Sequence, residues 1–464
     1  MMEKHALKPA FQRHFVNIFM TTTSSVTYRH IWTIAYPVLI SLLTEHLISL
    51  TDTAFLGRVG EIELGASALG GVYYWVVFML GLGFSLGAQI MIGRRNGEKL
   101  YAETGPIVVQ GIFFMLLLAG LAFTLTRGLS PGLMGYLLSS PDVYDAAIQY
   151  LDWRAYGFFF AFCALMFRAF FVGIEQTKAI GICSVIMVLV NVVLNYLLIF
   201  GKFGFPQMGI AGAALASTIA EGVLLVTLIV YVRFRVNLTK YGFSKIWQFK
   251  PRLIGQVFAI SIWTMLQFLI SDAVWLFFLI AVEHLGERPL AISNLVRSFS
   301  ILLFMPLSAM AVAATTVTSN LMGANRHTEV MGSCWKAIKL CTAILLPVLI
   351  LSAIWPEWVV RIYTDNQSLI EESIWPMRVA ISSYIIVIPT LILFDTLIGT
   401  GNTRSGFFLE LPPITAYGIF IYIVVVHLKM PLAICLLSEH VYWLILLVIC
   451  YAYMTRVDWQ SRKI

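Results

Sequence analysis

Charged side chains are scarce in this chain. Asp, Glu, Lys and Arg supply 12% of its 464 residues, against 59% that are hydrophobic. Soluble globular domains are about a quarter charged, so a soluble fold of this size is excluded. Cysteine is also sparse. Cys163, Cys183, Cys334, Cys341, Cys435 and Cys450 all fall in or near apolar stretches, and no two form a CxxC pair. That pattern reads as packed thiols, not disulfides or a metal centre. No HExxH, P-loop or GxSxG motif is present, which argues against hydrolase chemistry and ATP-driven work, and no cofactor is expected. The formal net charge is +7, but no basic stripe is interleaved with aromatics, so a nucleic-acid partner is not expected. The largest basic cluster (Arg233, Arg235, Lys240, Lys245, Lys250, Arg252) lies between two hydrophobic spans, as cytoplasmic loops of membrane proteins do.

What the chain has in abundance is long apolar stretches. Twelve predicted spans run near 31–57, 65–93, 105–126, 146–172, 179–200, 208–232, 254–282, 289–321, 334–354, 376–398, 406–427 and 431–454. The first is too long for a signal-peptide core and lacks a small-residue cleavage site, so it reads as a retained transmembrane helix. With the N-terminus inside, 21 Lys and Arg residues fall on the cytoplasmic side and 8 on the other, Arg154 among the 8. Both termini are therefore expected in the cytoplasm. The expected organisation is a cytoplasmic segment over 1–30, one lobe over 31–232, a loop over 233–253, a second lobe over 254–455 and a tail over 456–464. With only one long loop, no soluble catalytic domain is expected.

The two lobes look like copies. Gly60, Glu61, Leu64, Ser67, Leu69, Phe78, Met79, Ala88 and Gly97 recur without a gap, 226 positions on, as Gly286, Glu287, Leu290, Ser293, Leu295, Phe304, Met305, Ala314 and Gly323. The same offset maps Gly173, Thr177 and Lys178 onto Gly399, Thr403 and Arg404. Six spans per copy is an even number, so the copies share one topology. The fold class is an all-α polytopic membrane protein, twelve transmembrane helices in two pseudo-symmetric six-helix lobes related as a parallel repeat, which is the architecture of a transporter.

Ionisable residues deep in a span are costly and point to function. Glu45, His46 and Asp52 lie in the first span, Glu221 in the sixth and Asp272 in the seventh. Asp395 lies in the tenth, Glu410 in the eleventh, and Glu439 and His440 in the twelfth. Glu45 and Asp52, seven apart, share a helix face, as do Asn191 and Asn195, four apart. Pro37 stands in the same helix as Asp52 and frees a backbone carbonyl, giving either a bend point or a static kink. The Asn pair serves either as interhelical glue or as carbonyl ligands for a cation. The small residues of 209–218 read as a close-packing face from which Ser217 or Thr218 reaches the same site. Carboxylate, amide and hydroxyl oxygens suit Na⁺ or a proton relay rather than zinc or copper. Aromatics make up 14% of the chain. They form interfacial belts, core, or a cavity that with one or two acids would suit amphipathic organic cations.

From Pro37 through TDTAFLGRVG (51–60), GIEQTK (173–178), NVVLNYLLIFG (191–201), GIAGAALAST (209–218), LGERPLAISN (285–294), NLMGANR (320–326) and GTGNTR (399–404), the chain resembles the multidrug and toxic compound extrusion family. The resemblance covers roughly 30–455, and it looks more like the DinF-like bacterial branch. It implies a V-shaped pair of lobes and antiport of an organic substrate against Na⁺ or H⁺ in a bacterial inner membrane, by a monomer. It implies that Asp52 is the central acid, with Asn191 and Tyr150 as polar neighbours and Pro37 as the bend. Asn195 departs from the family, where an Asp is common. That weakens the case for tight Na⁺ binding at Asp52, Asn191 and Asn195, and Glu45 is the expected compensation. Asp272 lies near a second-lobe acid of NorM-type relatives, and Asp395 is either a further ion-linked group or a partner for a nearby polar side chain. Three rivals remain. A lipid-linked oligosaccharide flippase would want a cationic cavity, for which only Arg168 and Arg297 lie within spans. A channel would want a filter-like repeat. A membrane enzyme would need Glu439–His440 to work with Glu221.

Overall fold

The computed structural model describes residues 25–243 and 249–460. Most of the expected N-terminal segment and parts of the loop and tail, with Lys4, Lys8, Arg13, Lys245, Arg462 and Lys463, lie outside the described residues. The first lobe is built from α1 (Tyr28–Leu56), α2 (Glu61–Gly97), α3 (Thr104–Leu137), α4 (Pro141–Arg154), α5 (Gly157–Gly173), α6 (Lys178–Phe200) and α7 (Gly209–Arg235). The second is built from α8 (Pro251–Glu283), α9 (Glu287–Gly323), α10 (Val330–Ile354), α11 (Pro356–Arg361) and α12 (Gln367–Gly399). It ends with α13 (Thr403–Phe420), which runs on as a π-helical stretch over Ile421–His427, then α14 (Leu432–Cys435) and α15 (Leu437–Arg456). Among the described residues eleven helices are long and apolar enough to cross a membrane, and α4 with α5 makes a twelfth crossing bent by 47°.

The repeat read from the sequence is a repeat of helix ends. α2 and α9 are each 37 residues long, each begins one residue after the matched glycine (Gly60, Gly286), and each opens on a glutamate. An acid in the first turn is favoured by the positive end of the helix dipole. The same offset carries the start of α3 at Thr104 to that of α10 at Val330, and the end of α5 at Gly173 to that of α12 at Gly399.

The bend between α4 and α5 is one place where the span read from the sequence, 146–172, is really two helices. The Phe158 amide bonds Ala155 O and the Phe159 amide bonds Tyr156 O, both at 3.3 Å, so the ladder tightens to three-residue steps there. Gly157 sits where a Cβ would collide with the Arg154 guanidinium and the Glu221 carboxylate. The break thus turns Arg154 inward, onto α7, instead of leaving it in an outer loop.

The lobes exchange parts of their first helices. The apolar core of the second lobe takes in Val26, just before α1, and Ile31, Ile34 and Ala35 from its start. That of the first lobe takes in Val257 and Met265 from α8. The 226-residue offset carries Ile31 onto Val257, so the exchange is pseudo-symmetric. Where α2 and α9 cross, Gly97 has no room for a Cβ against the Asn320 carbonyl, and Gly323 none against the Arg94 carbonyl. Arg94 and Asn320 are themselves repeat partners. Cross-lobe hydrogen bonds gather at this end, the one carrying Arg94, Arg95, Lys178 and Arg326. Gln89 Nε2 donates to Thr316 Oγ1 (3.1 Å), Asn96 Nδ2 to Asn320 Oδ1 (2.7 Å), and Asn320 Nδ2 to the Gly173 carbonyl (3.0 Å). Lys336 Nζ donates to the Val26 carbonyl at 2.7 Å. The linker stays with the first lobe through Phe243. Gly242 turns at φ +73°, the Gly105 amide bonds Tyr241 O at 2.8 Å, and Lys240 Nζ lies 4.2 Å over the Tyr101 ring.

Candidate functional site

Asp52 lies in the last turns of α1, above Pro37. The proline cannot donate to the Thr33 carbonyl four residues back. That freed carbonyl accepts the Thr177 hydroxyl at 3.2 Å, and Gly181 of α6 faces Pro37 so closely that a Cβ there would stand 3.4 Å from the proline's own Cβ. α6 therefore braces α1 at its proline.

Further along, the same two helices meet at Asp52. Asn195 Nδ2 donates to Asp52 Oδ1 at 2.5 Å and Ser217 Oγ donates to Oδ2 at 3.0 Å. Asn195 Nδ2 also donates to Asn191 Oδ1 at 3.0 Å, so the four-residue spacing puts both amides on one face. Asn191 Nδ2 donates to Ser217 Oγ at 3.1 Å, which closes a ring of four side chains from α1, α6 and α7. Asn191 and Asn195 are fully buried and Ser217 nearly so. The small residues around Ser217 let α7 approach closely enough for its hydroxyl to reach the acid. Only neutral donors touch Asp52, and Asn195 Oδ1 is buried with no partner. An unpaired carbonyl oxygen beside a carboxylate is an oxygen-only setting that fits a hard monovalent cation or a proton.

The structure sorts the other expected residues. Tyr150 is buried at the same end of the lobe, with its ring against Gly70. Thr218 is not part of the ring, because its hydroxyl donates to the Trp153 carbonyl at 3.1 Å. Glu45 shares a helix face with Asp52 but has its own partners, Arg168 Nη1 at 3.2 Å and the Ser41 hydroxyl at 3.1 Å. It does not compensate for Asn195, since an ion-paired carboxylate two turns away adds no ligand at Asp52. Asp272 and Asp395 lie in the second lobe, apart from Asp52. Asp272 Oδ2 is buried without a partner, and Asp395 Oδ1 accepts from Thr315 Oγ1 at 2.9 Å.

Two pairings were not visible in the sequence. Arg154, counted there as an outer-loop cation, is 11% exposed and grips Glu221 with two bonds of 2.6 and 2.8 Å. Tyr74 Oη donates to the same carboxylate at 3.1 Å, and the guanidinium lies 3.7 Å over the Tyr74 ring. The signal was available in Glu221 itself, because a buried acid calls for a buried cation. The second is Glu410, fully buried in α13, which accepts from Ser271 Oγ (2.8 Å) and Tyr442 Oη (2.5 Å). Glu439 accepts from Trp443 Nε1 (3.0 Å) and His440 Nε2 meets Ser382 Oγ (2.9 Å) in the second lobe, while Glu221 lies in the first. The three cannot form one catalytic centre. Among the described residues no group of three or more His, Cys, Asp or Glu is arranged to hold a metal.

A family model described as MatE matches residues 37–197 and 262–412. A probable multidrug resistance protein NorM of Synechocystis sp. is 25% identical over 333 residues, 72% of each chain. The protein of that name from Thermotoga maritima is 26% identical over 379 residues, covering 80% of this chain and 79% of its own. Among solved structures, one described as the outward-facing conformation of a multidrug resistance MATE family transporter superposes with TM-score 0.84 at 18% identity, covering 94% of this chain and 97% of that one. A MOP superfamily transporter from Pyrococcus furiosus, described as having a binding pocket of reverse polarity, superposes at 0.82 with 17% identity, covering 97% and 99%. The Synechocystis and Thermotoga relatives carry the NorM name, so the DinF-like branch rests on sequence motifs alone.

Proposed function

This chain belongs to the MatE family of multidrug efflux transporters, and on that premise we propose that it exports amphipathic organic compounds by antiport against H⁺ or Na⁺. The observation that carries the coupling is the ring at Asp52, a carboxylate held by neutral donors beside an unpaired buried carbonyl oxygen. The ion enters at Asp52 and draws in Asn195, Asn191 and Ser217. Because α6, with its N-cap Thr177, both braces Pro37 and carries the two amides, a shift at Asp52 is transmitted to α1 at its proline. The lobes then rock about their crossing, and substrate leaves. The Lys/Arg-rich end, where the cross-lobe bonds gather, is the cytoplasmic end of a protein in the bacterial inner membrane, with both termini inside. In this arrangement the lobes are joined inside, the state that receives the ion from outside. One chain supplies both lobes, and the working unit is a monomer.

A flippase for anionic lipid-linked sugars is not favoured, because Arg168 is neutralised by Glu45 and Arg154 by Glu221, which leaves Arg297, 5.1 Å over the Trp275 ring, as a single in-span cation without a carboxylate partner among the described residues. The test is ethidium efflux from proteoliposomes with Na⁺ and H⁺ gradients imposed separately. Efflux driven by one gradient and lost in Asp52→Asn is expected. Gradient-driven efflux surviving in that variant would remove Asp52 from the mechanism.

A further inference from the structure

Asp52 takes no direct bond from a cation, yet a guanidinium stands close by. Its partner Glu221 lies one turn along α7 from Ser217, which bonds Asp52, and Arg154 itself lies one turn along α4 from the buried Tyr150. What keeps the guanidinium engaged elsewhere is Glu221, with its two bonds of 2.6 and 2.8 Å, and the Tyr74 ring 3.7 Å away. Gly157 leaves the room in which the pair sits. Bidentate pairing fixes both the direction and the net charge of the group. A buried ion pair of this kind is a poor source of stability, since desolvation offsets its attraction. Its placement next to the coupling acid gives it another use.

We propose that the Arg154–Glu221 pair positions and screens charge for the coupling site, with Glu221 withholding Arg154 from Asp52 so that Asp52 stays open to the coupling ion. The proposal rests on the antiport reading above. An unscreened Arg154 would itself act as the counter-ion of Asp52 and compete with H⁺ or Na⁺. An unscreened Glu221 would do the reverse and favour the cation at Asp52. Asn195 and Ser217 bond Asp52 and Asn191 bonds both of them, while Tyr74 and Arg154 bond Glu221 one turn along α7, and Tyr150 lies one turn from Arg154 on α4. On α1 itself Glu45 is spoken for by Arg168, and His46 stands one residue further on. Arg154 and Glu221 are therefore the neighbours whose charge can be altered without touching the ring.

The experiment measures ethidium efflux from proteoliposomes as a function of pH and of Na⁺, for wild type, Glu221→Gln, Arg154→Gln and the double variant. Glu221→Gln is expected to move the midpoint to lower pH, or the half-saturating Na⁺ upward, by on the order of tenfold. Arg154→Gln is expected to move it in the opposite sense, and the double variant to return it close to wild type. A general packing fault would move both single variants the same way, so opposite signs carry the proposal even if one variant assembles poorly. Midpoints unchanged in the single variants, or a double variant displaced as far as a single one, would overturn it. Asp52→Asn, run alongside, separates the two ideas. Wild-type efflux that responds to neither gradient defeats the antiport reading itself, gradient-driven efflux in Asp52→Asn removes Asp52 as the coupling acid, and its loss there with unmoved Glu221→Gln and Arg154→Gln midpoints defeats only the screening role.

Discussion

At the scale of single residues, Asn195 is the position where this chain departs from what the family pattern implies, and the structure shows the physical consequence. Its amide nitrogen bonds both Asp52 and Asn191, while its oxygen is left unpaired. A carboxylate at 195 could not donate to Asp52, and two acids so close would not both ionise. Asn195→Asp is therefore expected to convert one protonation step into two and to add one bound proton per protein near neutral pH. Proton uptake by purified protein on a pH jump measures this, and an unchanged uptake curve would contradict it. Residue type and spacing singled out Asp52, Asn191 and Asn195 in the sequence, and the family resemblance put Asn191 beside Asp52. The sequence could not choose between Ser217 and Thr218, which are adjacent, because the choice depends on how α7 is rotated against α1.

At the scale of elements, α1 is a helix with an interior proline that costs about 3 kcal/mol against alanine when unsupported. Here the freed Thr33 carbonyl is recovered by Thr177 from α6. Thr177→Val should cost about 1 kcal/mol by leaving that carbonyl without its partner, and should lower efflux by loosening the brace. Pro37→Ala should raise the unfolding temperature and slow efflux, because the ladder closes and the helix loses the point at which it could bend. Thermal unfolding in detergent and initial efflux rates check both, and faster efflux in the alanine variant would count against a bend at Pro37. The α4–α5 break shows what hydropathy leaves out of a span it finds. Hydropathy registers a continuous apolar run over 146–172, but the bend comes from the glycine that accommodates a salt bridge to a third helix.

For the whole molecule, the decisive contacts are those at the α2–α9 crossing. Gly97 and Gly323 each lie on a partner carbonyl, related by the repeat. A large side chain at either point must push the lobes apart at the Lys/Arg-rich end, at about 1–3 kcal/mol of overpacking. Gly97→Leu is thus expected to lengthen distances between spin labels placed on the two lobes at that end. Unchanged distances would show that the crossing does not hold the lobes together.

Composition, hydropathy and the 226-residue repeat determined on their own that this is a two-lobe, twelve-span membrane protein. These are one-dimensional properties, because the bilayer fixes span length and a duplicated segment keeps its register. The acids worth attention were also legible, since an ionisable group in a span stands out against apolar neighbours. Which acid meets which partner was decided only by the tertiary structure. Glu45 pairs with Arg168, Glu221 with Arg154, and Asp52 with two amides and a hydroxyl. These partners lie far from one another in the chain. Helix rotation and the break at Gly157 bring them within bonding distance, and neither is written in any local pattern.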